Sequence, residues 1–127
     1  MKNIKKMKKL PEAEFEVMKA VWRLEPPITA SKVMKKLPDK NWVVQSVITL
    51  LIRLVERGFL RTEKNGNERT YYPLVARDEY LQFETGNFIK QYHENSFINL
   101  VNTLDNDKAL SEKDIDELLK WVKERKG

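Results

Sequence analysis

Cysteine is missing from this 127-residue chain, and histidine occurs once, at position 93. Without thiols there is no disulfide framework, and a zinc site of the usual kind loses its ligands. The four glycines stand apart, so no glycine-rich loop is available to cradle a phosphate. No apolar run approaches the roughly 18 residues needed to cross a bilayer. The N-terminus MKNIKKMKKL carries lysines but no apolar stretch of a secretory signal. These absences lead to the expectation of a cytoplasmic protein with no stable membrane association, no metal and no cofactor. Enzyme chemistry finds little support either. His93, between Tyr92 and Glu94, reads as a surface residue of a helix. Asp105-Asn106-Asp107 lacks the Gly and the distal Glu of a Ca²⁺ loop, and reads as a polar connection between helices.

What is present is charge, unevenly placed. The formal net charge is +5. Residues 1–77 hold 17 Lys and Arg against 8 Asp and Glu, whereas residues 78–127 hold 7 against 11. A basic half suits a polyanion; the acidic half suits some other task. The lysine-rich arm over residues 1–9 reads as a solvated tail or as an arm along a DNA backbone.

Residues 41–60, NWVVQSVITLLIRLVERGFL, organise the basic half. Val43, Val47, Leu50, Leu51 and Leu54 fall on one face of a helix. The opposite face carries Gln45, Ser46, Thr49, Arg53 and Arg57, with no acid before Glu56. Amide, hydroxyl and guanidinium groups are the types that bond base edges and phosphates. Gly58 supplies a left-handed stop. The spacing fits the recognition helix of a helix-turn-helix, and equally an ordinary amphipathic core helix.

The flanking segments favour the former. Phe15, Met18 and Trp22 mark a first helix over about residues 12–24, ended by Pro26-Pro27. Thr29 is placed to cap a short second helix through Leu37, and Pro38 stops it. After the third helix come two β-prone runs around Asn65-Gly66-Asn67, a strong hairpin signal. Helix, helix, helix, hairpin is a winged helix-turn-helix. Lys64 and Arg69 sit near the wing tip, where cations would meet phosphate. Ile48 could touch a thymine methyl or pack at the helix edge.

Beyond residue 77 three further helices are expected: about 77–94, about 97–104, and one opened by Ser111 in a capping-box pattern with Asp114. Their apolar residues include Phe88, Leu100, Leu104, Leu118, Leu119 and Val122. Some 50 residues bury little surface alone, so these stripes are expected to close on a second copy of the chain. The fold class is therefore mainly α with a small β-hairpin wing. The winged helix-turn-helix domain is assigned to 1–77 and the helical dimerisation domain to 78–127.

The segments PEAEFEVMKAVW, NWVVQSVITLLIRLVERGFL and RTYYPLV, together with GNFI at 86–89 and the closing SEKDIDELLKWV, resemble the penicillinase-repressor family of BlaI/MecI/CopY type. The resemblance implies a homodimeric repressor on a palindromic, double-stranded operator ahead of antibiotic-resistance or stress genes. It also implies release through a membrane metalloprotease sensor that triggers cleavage in the dimerisation domain. In β-lactam-responsive relatives the cut bond is Asn-Phe in the short middle helix. Here the matching stretch, residues 100–104, holds Asn102, Thr103 and Leu104, and places the bond at Thr103-Leu104; the Asn-Phe pair itself is absent. Copper-responsive relatives bind the metal through C-terminal cysteines, which this chain lacks. From the residues alone, a winged-helix repressor released by a small ligand, and a protein- or RNA-interaction module, stay open.

Overall fold

The computed structural model describes residues 7–127, and part of the basic arm expected over residues 1–9 lies outside them. Two compact units are present, divided between Gln82 and Phe83.

In the first unit, α1 (Glu12–Val21) starts after Pro11, with Glu12 and Glu14 in the first turn and Lys19 in the last. That polarity suits the helix dipole. Val17, Met18 and Val21 are buried. The helix ends three residues sooner than the periodicity suggests. Arg23 and Leu24 donate to the carbonyls of Ala20 and Val21, so the chain tightens into i→i−3 turns there. Thr29 caps α2 (Ala30–Lys35) as expected, its hydroxyl accepting from Lys32 N at 3.2 Å.

The long apolar helix is α3 (Val44–Glu56), and Val47, Leu51 and Leu54 are its buried residues. Val43 departs from the expected core set. It is the N-cap, with extended backbone (φ −82°, ψ 159°), so it leaves the helical spiral before it can face inward and is 64% exposed. At the other end, Gly58 adopts φ 84°. Gly58 N donates to Val55 O and Phe59 N to Leu54 O, satisfying carbonyls the helix leaves open.

β1 (Leu60–Asn65) and β2 (Glu68–Pro73) form the antiparallel wing, from Leu60 opposite Pro73 to Asn65 opposite Glu68. The turn lies within the expected Asn65-Gly66-Asn67 stretch: Asn65 is the last paired residue, and Gly66 (φ 64°) takes the first central position. A single β-bridge joins Ile28, just before α2, to Tyr71. Tyr80 then seals the unit. It is buried against Phe15, Trp22 and Phe59, with ring centroids 5.5 to 6.0 Å apart. Its hydroxyl accepts from Leu10 N at 2.8 Å.

α4 (Arg77–His93) crosses the division between the units. In the second unit, α5 spans Phe97–Asn106 and α6 spans Glu112–Lys126. His93 is not on the surface. It is 7% exposed, packs against Phe88, and its Nδ1 donates to Asn99 Oδ1 at 2.7 Å. The polar connection expected to start at Asp105 starts later, because the helix runs on to Asn106. Lys108, in left-handed conformation (φ 55°), closes α5: its N donates to Asp105 O, and Ala109 N donates to Leu104 O. The capping box of α6 is formed, with Ser111 and Asp114 bonding each other's backbone N–H. No residue of α5 or α6 is buried.

Candidate nucleic-acid interface

The outward arc of α3 is polar. Gln45, Ser46, Thr49 and Arg53 are all exposed. Thr49 Oγ1 donates to Gln45 O at 3.0 Å, which fixes its rotamer and leaves its oxygen free to accept. The face carries no acid until Glu56.

The wing brings its cations to the same neighbourhood. Lys64 and Arg69 are directly opposite in the strand register, so they share one face of the hairpin. Alternation puts Leu60, Thr62 and Tyr71 on that face too. Leu60 and Tyr71 are buried, so the face that packs on the helices turns cationic where it runs clear of the core. A hollow of about 250 Å³ lies where these elements meet. Thr29, Ala30 and Ser31 line it from the start of α2, Ile48 from α3, and Asn67, Glu68, Arg69 and Tyr71 from the wing. Burial pushes the Tyr71 phenol above its ordinary pKa, partly offset by Arg69. Ile48 is half-buried in this hollow, which favours packing for it. Ser31 is exposed beside it and was not singled out by periodicity, since α2 is too short to show a face.

Arg57 is placed differently from the expectation. Its Nε bonds Glu14 Oε1, and its Nη2 donates to Glu14 Oε2 at 3.3 Å. Glu14 is 2% exposed, so the guanidinium faces inward to a buried carboxylate and braces α3 against α1. This gives Arg57 a structural role beside the phosphate contact expected of it: a buried carboxylate without a partner is costly, and Arg57 is that partner. The pair is separated by 43 residues in sequence. On the far side of α1, Lys19 bonds Glu16 at 2.9 Å and holds that carboxyl below its usual range.

The residues assigned to dimerisation lie in the second unit. Phe88 and Leu119 are 45% and 56% exposed; Leu104 is at 37%; Leu100, Leu118 and Val122 are half-buried. Phe97, Ile98 and Trp121 are also largely exposed and extend the same apolar inventory. Asn102, Thr103 and Leu104 are helical residues of α5, and Thr103 Oγ1 donates to Asn99 O at 2.9 Å. Among the described residues, no helix is long and apolar enough to cross a membrane.

The family model described as penicillinase repressor matches residues 10–124. The chain is 30% identical over 126 residues to the penicillinase repressor of Bacillus licheniformis, covering 98% of this chain and 97% of that one. It is 28% identical over 110 residues to the methicillin resistance regulatory protein MecI of Staphylococcus aureus, covering 86% and 89%. Among solved structures, the DNA binding domain of the repressor BlaI aligns at 32% identity with a TM-score of 0.51. That alignment covers 61% of this chain and 94% of that domain. The chain belongs to the penicillinase repressor family.

Proposed function

We propose that this chain represses transcription as a homodimer on a palindromic operator. In this reading α3 enters the major groove, with Gln45, Ser46 and Thr49 at the base edges and Arg53, Lys64 and Arg69 on the flanking phosphates. The observation that carries it is the exposed polar face of α3, Gln45, Ser46, Thr49 and Arg53, beside a hollow that the start of α2, Ile48 of α3 and Arg69 of the wing line together. Helix-turn-helix proteins present the N-terminal turns of the second helix to bases, and Gln45, Ser46 and Thr49 occupy those turns.

The second unit supports the dimer. No residue of α5 or α6 is fully buried, and Phe97, Ile98, Leu119 and Trp121 each leave more than half of their surface in water. A second copy of the same unit would cover these faces and set two reading heads on two half-sites. Each bound head raises the effective concentration of the other. Cleavage near Thr103-Leu104 would break that linkage and end repression. Because the bond sits inside α5, a protease that takes extended substrate needs the last turns of this helix to open first.

Footprinting of the purified protein on its own upstream region tests the reading. Two protected half-sites about one helical turn or a multiple of it apart are expected. Gln45→Ala should cost about 1–3 kcal/mol on that site and little on random duplex. Uniform, sequence-independent protection overturns the proposal. Mass spectrometry of the protein from induced cells tests release: a new N-terminus at Thr103 or Leu104 is expected, and full-length protein throughout derepression rejects cleavage.

A further inference from the structure

We propose that Ile52 reads a thymine 5-methyl group in each half-site. This rests on the reading that α3 enters the major groove, and goes beyond it by naming a base and a specificity residue. The evidence is placement. Ile52 lies in the middle of α3, seven residues after Gln45 and three after Thr49, so it shares their outward arc. It is 48% exposed. Val43 and Val44 are exposed because they stand at the helix start, where the core has not yet begun; no end effect applies to Ile52. Nor does helix propensity favour it, since β-branched side chains lose rotamer freedom in a helix.

Its neighbours narrow the occupant. Gln45 and Thr49 offer amide and hydroxyl groups, and Arg53 follows with an exposed guanidinium. An apolar side chain set among these suits a surface that is polar and anionic but carries isolated methyl groups, and the thymine methyl is the apolar group of the major groove. A protein partner would instead meet one largely exposed aliphatic side chain, with Ile48 and Val55 half-buried beside it and Thr49 and Glu56 polar, too small an apolar patch to anchor an interface. Ile48, one turn earlier, is drawn into the hollow beside the wing and leaves Ile52 as the apolar residue in the line of Gln45 and Thr49. Glu56, one turn later, closes the readable stretch with a carboxylate that phosphate repels.

Full-length protein is used to select duplexes from a randomised pool at physiological salt. Each thymine of the selected duplex is then replaced singly by deoxyuridine, which removes only the methyl. Wild type should lose roughly fourfold in affinity at one thymine per half-site, the worth of one buried methyl-sized group. Ile52→Ala should bind the thymine duplex about as weakly, and should not distinguish thymine from deoxyuridine there. Its affinity for random duplex should match wild type, which shows that the variant is folded. A methyl effect that persists in Ile52→Ala, or no methyl effect in wild type, overturns the inference and leaves the groove assignment standing. If no specific duplex emerges from the pool, the assignment of α3 to the groove fails, and this inference with it.

Discussion

Replacing Arg57 with alanine separates a brace from a phosphate contact. The guanidinium donates through Nε and Nη2 to Glu14, whose side chain is 3% exposed, while Arg57 is itself 37% exposed. Breaking a buried ion pair by removing one partner costs about 3–5 kcal/mol, because the other charge is left buried. Here solvent reaches the cation and screens the pair, so about 2–3 kcal/mol is expected. That is a large share of the 5–15 kcal/mol of a typical domain. Amide hydrogen exchange of α1 and α3 in the full chain reads it directly, since the slowest amides report opening of the whole unit. Arg57→Ala should lower their protection by the stated amount, and Arg53→Ala, at an exposed site, by less than about 0.5 kcal/mol. The double variant Glu14→Met/Arg57→Met should recover most of the loss, because apolar side chains of similar volume replace buried pairs at little cost. The reasoning is refuted if Arg57→Ala leaves exchange unchanged while the slope of log affinity against log salt falls by about 0.9. That outcome would return Arg57 to the phosphates.

Arg69→Ala and Lys64→Ala should each reduce the salt slope of operator binding by about 0.9 and leave sequence preference intact; titrations parallel to wild type reject their phosphate contacts. Leu118→Asp or Leu119→Asp should give a folded, monomeric protein with weak operator binding, and an unchanged dimer in sedimentation removes that residue from the interface. Lys108→Gly should stabilise the end of α5 by about 1 kcal/mol, since a left-handed backbone costs a side chain of this kind that much; chemical shifts and exchange across residues 97–106 will show it. The Asp114 carboxyl is held below its usual range by the backbone and then the side chain of Ser111. Its folded pKa is depressed, so its contribution is present above the unfolded value near pH 4 and is lost as pH falls through the folded value. The first turn of α6 should therefore fray in acid; Ser111→Ala, which keeps the backbone N–H that bonds the carboxylate, should weaken that pH dependence, and Asp114→Asn should abolish it.

Local chemistry was legible in the sequence where a few adjacent residues decide the outcome. Thr29 caps α2, Ser111 and Asp114 form their box, and Gly58 and Gly66 take the left-handed positions their places require. The periodicity of α3 identified Val47, Leu51 and Leu54 as core. It misplaced Val43, because a period of 3.6 says nothing of where a helix begins. Features set by distant partners left no local mark. Nothing near Arg57 announces Glu14, and nothing near His93 announces that Asn99 and the Phe88 ring would enclose it. A one-residue bridge such as Ile28 to Tyr71 has no period to detect. The polar chemistry of the outward α3 face was readable, whereas its surroundings were not: Arg57 turns to Glu14, and the exposure of Ile52 and Ser31 emerges only from the packing.

The Ile28–Tyr71 bridge has a calorimetric consequence. Ile28 N donates to Tyr71 O at 3.2 Å and Tyr71 N to Ile28 O at 2.7 Å, so the lead-in to α2 and the second wing strand are hydrogen-bonded as one piece. Trp22 Nε1 adds a bond to Val75 O at 2.9 Å just beyond that strand. The approach to α2, the end of α1 and the wing thus form one hydrogen-bonded body, not a flap that orders on arrival. Coupled folding buries far more surface than the contact itself and shows it as an outsized negative heat-capacity change. For this protein the heat-capacity change on binding a half-site should match the apolar area of the docked surfaces alone.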